Sequence, residues 1–308
     1  MKQIKITLMR KCCIILCLIF LMNGITHAQQ LPWFPFTWNG IGMSNKYYGK
    51  SAMVLPLGAT GGNREIYIIQ LDTGCDGTFY TDQAYMDANH LKSEYLNNFM
   101  RNQMFASSIH TFFTDLDKKL RKQFNCDSLV SRRVNHYQVG VIGSDILRNK
   151  ILIIDFPNTR MCIVDSIDSI YRNNFDMVEM KIIRSWPVIP VQINGDKKWM
   201  IFDTGSSNNE LLTTKSNWNL LGDKTMPVDT LGPSNSWGTP IYVYGRPLNH
   251  GCKVGNASFN KCRIWYTNSE RIEKLIKDNN LFGITGNAMY LNKTVMLDYK
   301  NKRFGVIK

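Results

Sequence analysis

The chain has 308 residues, 44% of them hydrophobic and 20% charged, with a formal net charge of +13. The length suits two mid-sized domains or one large one. The positive charge is scattered, with no dense Lys/Arg block and no recognisable binding module, so it reads as a solvated basic surface with weak attraction to acidic polymers or lipid surfaces and argues against a nucleic-acid partner.

Residues 1–28 read as a secretory signal peptide. Lys2, Lys5, Arg10 and Lys11 form a basic start, and Cys12 to Met22 is an apolar core too short to span a bilayer comfortably. Thr26-His27-Ala28 is a small-x-small cleavage site leaving Gln29 as the new N-terminus; a retained signal anchor is the alternative. No later stretch is long and apolar enough for a membrane-spanning helix, so an exported protein, periplasmic or extracellular, without an integral span is expected. Five cysteines follow the signal: Cys75, Cys126, Cys162, Cys252 and Cys262. An exported chain meets oxidant, and Cys252 and Cys262 flank a Gly255-Asn256 turn where a local bridge is one option. No Cys-x-x-Cys or His-x-x-x-His spacing supports a metal site, and no metal or cofactor is expected.

Residues 29–50 form an aromatic, proline-rich segment, Leu31-Pro32-Trp33-Phe34-Pro35-Phe36-Thr37-Trp38, expected to lie over the body and bury its rings. Ser51 to Leu57 and Glu65 to Leu71 read as strands joined by a glycine-rich loop. The second strand ends in Asp72-Thr73-Gly74-Cys75. Thr81 to Met104 has Tyr85, Leu91, Tyr95 and Phe99 at helical spacing, and Thr114 to Phe124 reads as a second, charged helix. His90, His110 and His136 are scattered here and receive no role. Val139 to Leu147 carries a Gly-Val-Ile-Gly stretch, then Ile151 to Phe156 and Met161 to Val164 read as strands around a Pro157-Asn158-Thr159-Arg160 turn. Asp165 to Arg184 reads as a connection between halves.

The second half restates the first. Pro187 to Val191 matches Met53 to Leu57, Asn194-Gly195 marks a tight hairpin, and Lys198 to Phe202 leads into Asp203-Thr204-Gly205-Ser206. Gly140 to Val164 aligns without a gap on Gly283 to Ile307 at a constant offset of 143. Gly140/Gly283, Gly143/Gly286, Asn149/Asn292, Lys150/Lys293, Asp155/Asp298, Asn158/Asn301 and Arg160/Arg303 are identical pairs. The Asp-Thr-Gly copies are 131 residues apart. So long a period indicates two homologous halves, 51–170 and 171–308, rather than a solenoid. Asn268 to Asn279 reads as a helix with Ile272, Leu275 and Ile276 inward. A strand that ends twice in a poorly solvated aspartate invites a paired role for the two carboxylates.

The doubled motif resembles the pepsin-like and retropepsin-like aspartic peptidases, as a two-lobed, single-chain, bacterial-type exported member. The resemblance rests on Asp72-Thr73-Gly74 with Val141-Ile142-Gly143, and on Asp203-Thr204-Gly205 with Ile284-Thr285-Gly286, and it covers nearly all of the chain after the signal. It implies a mostly β protein, two lobes of the acid-protease fold with a few helices, that acts as a monomer. It implies an endopeptidase in which Asp72 and Asp203 share a proton and activate a water against the bond of a peptide or protein substrate bound as an added strand. Gly74 and Gly205 let the backbone pass behind the carboxyls, Thr73 and Thr204 donate hydroxyls across the lobe interface, and Ser206 supports the outer carboxylate oxygen. Cys75 stands where the family usually has Ser or Ala. No glycine lies between Gly77 and Gly140 to build the first-lobe flap, and Trp237, Gly238 and Tyr242 mark a flap candidate in the second. A second reading is a catalytically inactive relative that binds a peptide or protein partner in the cleft, and a third is a structural envelope protein with no cleft function.

Overall fold

Short β-branched and aromatic runs, cut by Gly, Pro and Asn, fold here into sheets, and the protein is mostly β. The computed structural model describes residues 31–43, 46–58, 65–80, 135–236 and 239–308. The signal peptide and the two helices expected within 81–134 lie outside the described residues. Among the described residues no helix is long and apolar enough to cross a membrane.

The sheet order repeats. In the first half Lys46–Gly58 pairs antiparallel with Glu65–Leu71, which runs parallel to Asn135–Ile142. In the second half Trp186–Ile193 pairs antiparallel with Asp196–Asp203, which runs parallel to Gly283–Gly286. Each parallel pair has its short flanking strand, Phe79–Tyr80 and Leu211–Thr213, set antiparallel. Asn194 and Gly195 have φ of 52° and 84°, the positive values that a two-residue hairpin requires.

The two halves join in a six-stranded antiparallel sheet. At its centre Ile151–Asp155 pairs with Thr294–Asp298, its own counterpart in the repeat, with Ile153 opposite Met296. A strand paired antiparallel with its duplicate has a local two-fold axis at that point, and both strands are buried along their whole length. The identical residues of the repeat have a common use beyond these strands. Asp155 accepts from the Asn158 amide at 2.9 Å and Asp298 from the Asn301 amide at 2.8 Å, closing equivalent turns in which Thr159 and Lys302 both take positive φ. The partner arginines differ. Arg160 pairs with Asp155 at 2.7 Å, whereas Asp298 is paired at 2.5 Å by Arg172, and Arg303 caps the Met177 carbonyl.

Two expectations change here. Asp165 to Arg184 is more than a connection: after a short helix, Ser169–Arg172, the strand Phe175–Glu179 covers Arg303–Ile307, and Lys181–Ile183 pairs with Trp186–Ile193. An uncovered edge beside Arg303–Ile307 would leave its backbone groups unpaired, and Phe175 and Met177 supply the apolar face that seals it. The aromatic N-terminal segment does bury its rings, as ordered strands: Phe34–Pro35 pairs with Arg160–Val164, and Thr37–Met43 with Lys46–Gly58. Phe36, Trp38 and Phe156 pack together, with Trp38 stacked on Phe156 at 6.2 Å. The helix Glu270–Asp278 forms as expected, Ile276 buried and Ile272 and Leu275 against the second-half core.

Candidate active site

Asp72 follows directly on a parallel strand, its N–H held by the Ile142 carbonyl at 2.9 Å. Asp203 ends the matching strand with Gly286 beside it. Behind each aspartate the chain turns back: Cys75 N–H donates to the Asp72 carbonyl at 3.1 Å and Ser206 N–H to the Asp203 carbonyl at 3.2 Å.

The turns interlock. The Thr73 hydroxyl donates to the Phe202 carbonyl at 2.7 Å and accepts from Thr204 N–H at 3.0 Å. The Thr204 hydroxyl donates to the Leu71 carbonyl at 2.8 Å and accepts from Thr73 N–H at 3.0 Å. Both threonines are completely buried. Four reciprocal bonds thus fasten strands that lie 131 residues apart.

The glycines follow from that crossing. A Cβ on Gly74 would stand 2.5 Å from the Asp203 carboxyl carbon, and one on Gly205 2.6 Å from that of Asp72. Each glycine therefore faces the opposite aspartate, and no larger residue fits at this approach. Gly74→Ala is expected to push Asp203 out of place and lower the melting temperature; calorimetry of thermal unfolding checks it.

The two carboxyls lie close enough to interact directly. Burial raises the Asp72 pKa well above its ordinary 3.8, and the charge and hydrogen bond of Asp203 raise it further. Burial raises Asp203 too, but the Asp72 bond and N–H donors from Gly205, Ser206 and Gly74 oppose it. The two carboxyls therefore titrate as a pair that shares one proton, with the upward push greater on Asp72. Of those donors, Gly205 N–H is 2.7 Å from the Asp203 carboxylate. Ser206 reaches Asp203 through its backbone N–H, rather than by the hydroxyl that the resemblance implies.

Cys75 is neutral in this setting. Its thiol donates to the Gly77 carbonyl at 3.1 Å, and burial pushes its pKa up to about 11. Thiolate is scarce at such a value, so iodoacetamide at pH 8 is expected to label Cys75 roughly ten- to a hundredfold more slowly than a free thiol, measured by peptide mass spectrometry. Cys252 and Cys262 are buried and unbridged, with their thiols hydrogen-bonded.

A scan against protein-family models matches none, and a search of curated proteins finds no similar sequence.

The glycine motifs support both turns from below. Ser144 N–H donates to the Cys75 carbonyl at 2.9 Å, and Asn287 N–H to the Ser206 carbonyl at 3.1 Å. A side chain on Gly143 or Gly286 would run into those same carbonyls. Ser144 and Asn287 escape a motif search because they differ in type, but the constant offset of 143 pairs them. Asn287 also donates to the Thr204 carbonyl at 2.8 Å and to the Ser207 hydroxyl at 2.9 Å. Thr78, likewise unmarked in the sequence, donates to Asp145 at 2.7 Å and accepts from Gly143 N–H at 3.0 Å.

The flap candidate is an antiparallel hairpin of Asp229–Ser236 and Thr239–Pro247. Trp237 and Gly238 lie outside the described residues. Tyr242 is exposed, with its backbone tied to Thr267 and Asn268. None of the aspartates' partners named above comes from this hairpin. Among the described residues no cluster of His, Cys, Asp and Glu could hold a metal ion. A cavity of about 600 Å³ between Gln192, Asn194, His250 and Lys253 shares no residue with the Asp-Thr-Gly turns.

Proposed function

We propose that the protein is an exported aspartic endopeptidase of the two-lobed acid-protease fold, working as a monomer with Asp72 and Asp203 as its catalytic pair. The observation that carries this reading is the crossing of two Asp-Thr-Gly turns, locked by the Thr73/Thr204 exchange, which sets each glycine against the opposite carboxyl. One chain supplies both aspartates, so no second copy is needed to complete the pair.

The chemistry follows from the shared proton. Asp203, ionised and held by three N–H donors, takes a proton from a water lying between the carboxyls as that water attacks the scissile carbonyl. Asp72 donates its hydrogen bond to the carbonyl oxygen, where negative charge develops. The tetrahedral intermediate collapses as Asp203 passes the proton taken from the water to the leaving nitrogen, and the C–N bond breaks. No covalent enzyme intermediate forms. The burial that raises both aspartates makes the singly protonated pair the working form at mildly acidic pH.

The test is cleavage of a diverse peptide library by the chain lacking residues 1–28, scanned from roughly pH 3 to 7, the range in which a carboxylate pair can share one proton. A bell-shaped profile with inhibition by pepstatin is the expected result. Binding of peptides with no cleavage at any pH would move the assignment to the peptide-binding reading.

A further inference from the structure

Side chains alternate along a strand, so the residue two before each aspartate lies on the same face as its carboxyl. These positions flank whatever bond the aspartates attack, and the two halves fill them differently. In the second half the position is Ile201, paired with Ile284. They are 2% and 7% exposed. Trp186, Leu231 and Val243 belong to their cluster, and Tyr48 packs on it from the first-half strand Lys46–Gly58. Leu281 packs against the same cluster.

In the first half the position is Gln70, paired with Val141. The offset of 143 that matches Val141 to Ile284 matches Gln138 to Leu281. An apolar pair in one half is therefore a polar pair in the other. Gln138 Nε2 donates to Gln70 Oε1 at 3.0 Å, in an exposed position. That bond uses one donor and one acceptor, and the two carboxamides retain further donors and an acceptor on the face that carries Asp72.

We propose that Gln70 and Gln138 form a selecting subsite on the Asp72 side of the site, which takes a Gln or Asn side chain next to the attacked bond. The Asp203 side is closed by the chain's own apolar residues, so side-chain selection falls on the glutamines. A carboxamide in the substrate matches the spare donors and acceptor of the pair, whereas a leucine there would strip water from them without replacing its hydrogen bonds. A charged side chain would have to shed far more hydration. The proposal rests on the reading of Asp72 and Asp203 as a catalytic pair.

The test uses peptides in which the attacked bond is replaced by a hydroxyl-bearing, non-cleavable isostere, with Gln or Leu on either side of it. Calorimetry measures their binding to the parent protein and to Gln70→Leu and Gln138→Leu. The glutamine form is expected to bind roughly tenfold tighter to the parent at one flank, and the preference to reverse in both variants. Equal binding of the two forms, or a preference unchanged by the substitutions, overturns the proposal. The cleavable counterparts separate the two readings. Selective binding without cleavage sustains the glutamine subsite and removes the peptidase. Cleavage of both peptides at equal kcat/KM, unaltered in the variants, removes the subsite and sustains the peptidase. Failure of every isostere to bind overturns both.

Discussion

Asp72→Asn is expected to lose peptide cleavage by at least about a thousandfold, yet to melt higher than the parent at pH 7. The two effects have one cause. Asp72 and Asp203 are forced together in poorly solvated surroundings, and both carboxyls are raised above the ordinary 3.8. An acid whose folded pKa lies above its unfolded value binds its proton more tightly in the folded chain. Its contribution favours folding at low pH and is lost as pH climbs from near 3.8 through the raised folded value. At pH 7, well above the unfolded value, the parent bears part of that cost. Asparagine cannot ionise, keeps an oxygen for the Gly74 and Cys75 N–H groups, and offers Asp203 an N–H in place of the O–H. A gain of roughly 2–4 °C at pH 7 is expected for a chain of this size, and a smaller one at pH 3, where less of the pair is ionised. Asp203→Asn should lose as much cleavage but gain less stability, because three N–H donors already favour its charge. Calorimetric melting at the two pH values and kcat/KM on one peptide decide the matter. Residual cleavage in either variant would remove that aspartate from the mechanism.

The second large effect concerns Thr73→Val. Valine keeps the shape and removes a hydroxyl that serves two buried backbone groups, the Phe202 carbonyl and Thr204 N–H. Both are left without partners where water cannot reach, at about 1–3 kcal/mol each. A loss of roughly 5–15 °C in Tm is expected. Thr204→Val strips the Leu71 carbonyl and Thr73 N–H in the same way. The double variant should fall less than the summed singles, since the four bonds form one unit. Thermal melts of the parent and the three variants check this. Strict additivity would show that the two threonines act separately. Activity should fall more than stability, because the lock sets the distance between the carboxyls.

The strand-forming runs, the Asn194-Gly195 hairpin and the Glu270–Asp278 helix are local matters, and alternation and turn residues make them readable. The repeat could be read because identical turns need identical residues, as Asp155/Asn158 and Asp298/Asn301 illustrate. The strand Phe175–Glu179 was not legible as a strand, since it forms to cover the edge of Arg303–Ile307, whose place in the sheet no local pattern gives. Ser144 and Asn287 are hidden for a related reason. Their backbone N–H groups do the same work, and backbone chemistry leaves no mark on residue type.

The amino-acid sequence by itself determined that two Asp-Thr-Gly turns exist, that each follows an apolar strand, and that the halves around them are duplicates. Motif and period are carried by residue identity. The tertiary structure alone decided that the turns cross, that Gly74 faces Asp203 and Gly205 faces Asp72, and that burial raises both carboxyls. It also set a glutamine pair beside one aspartate and a sealed apolar cluster beside the other. Each of these depends on contacts between residues more than a hundred positions apart or on unequal burial of matched positions, and neither is written in the local order of the chain.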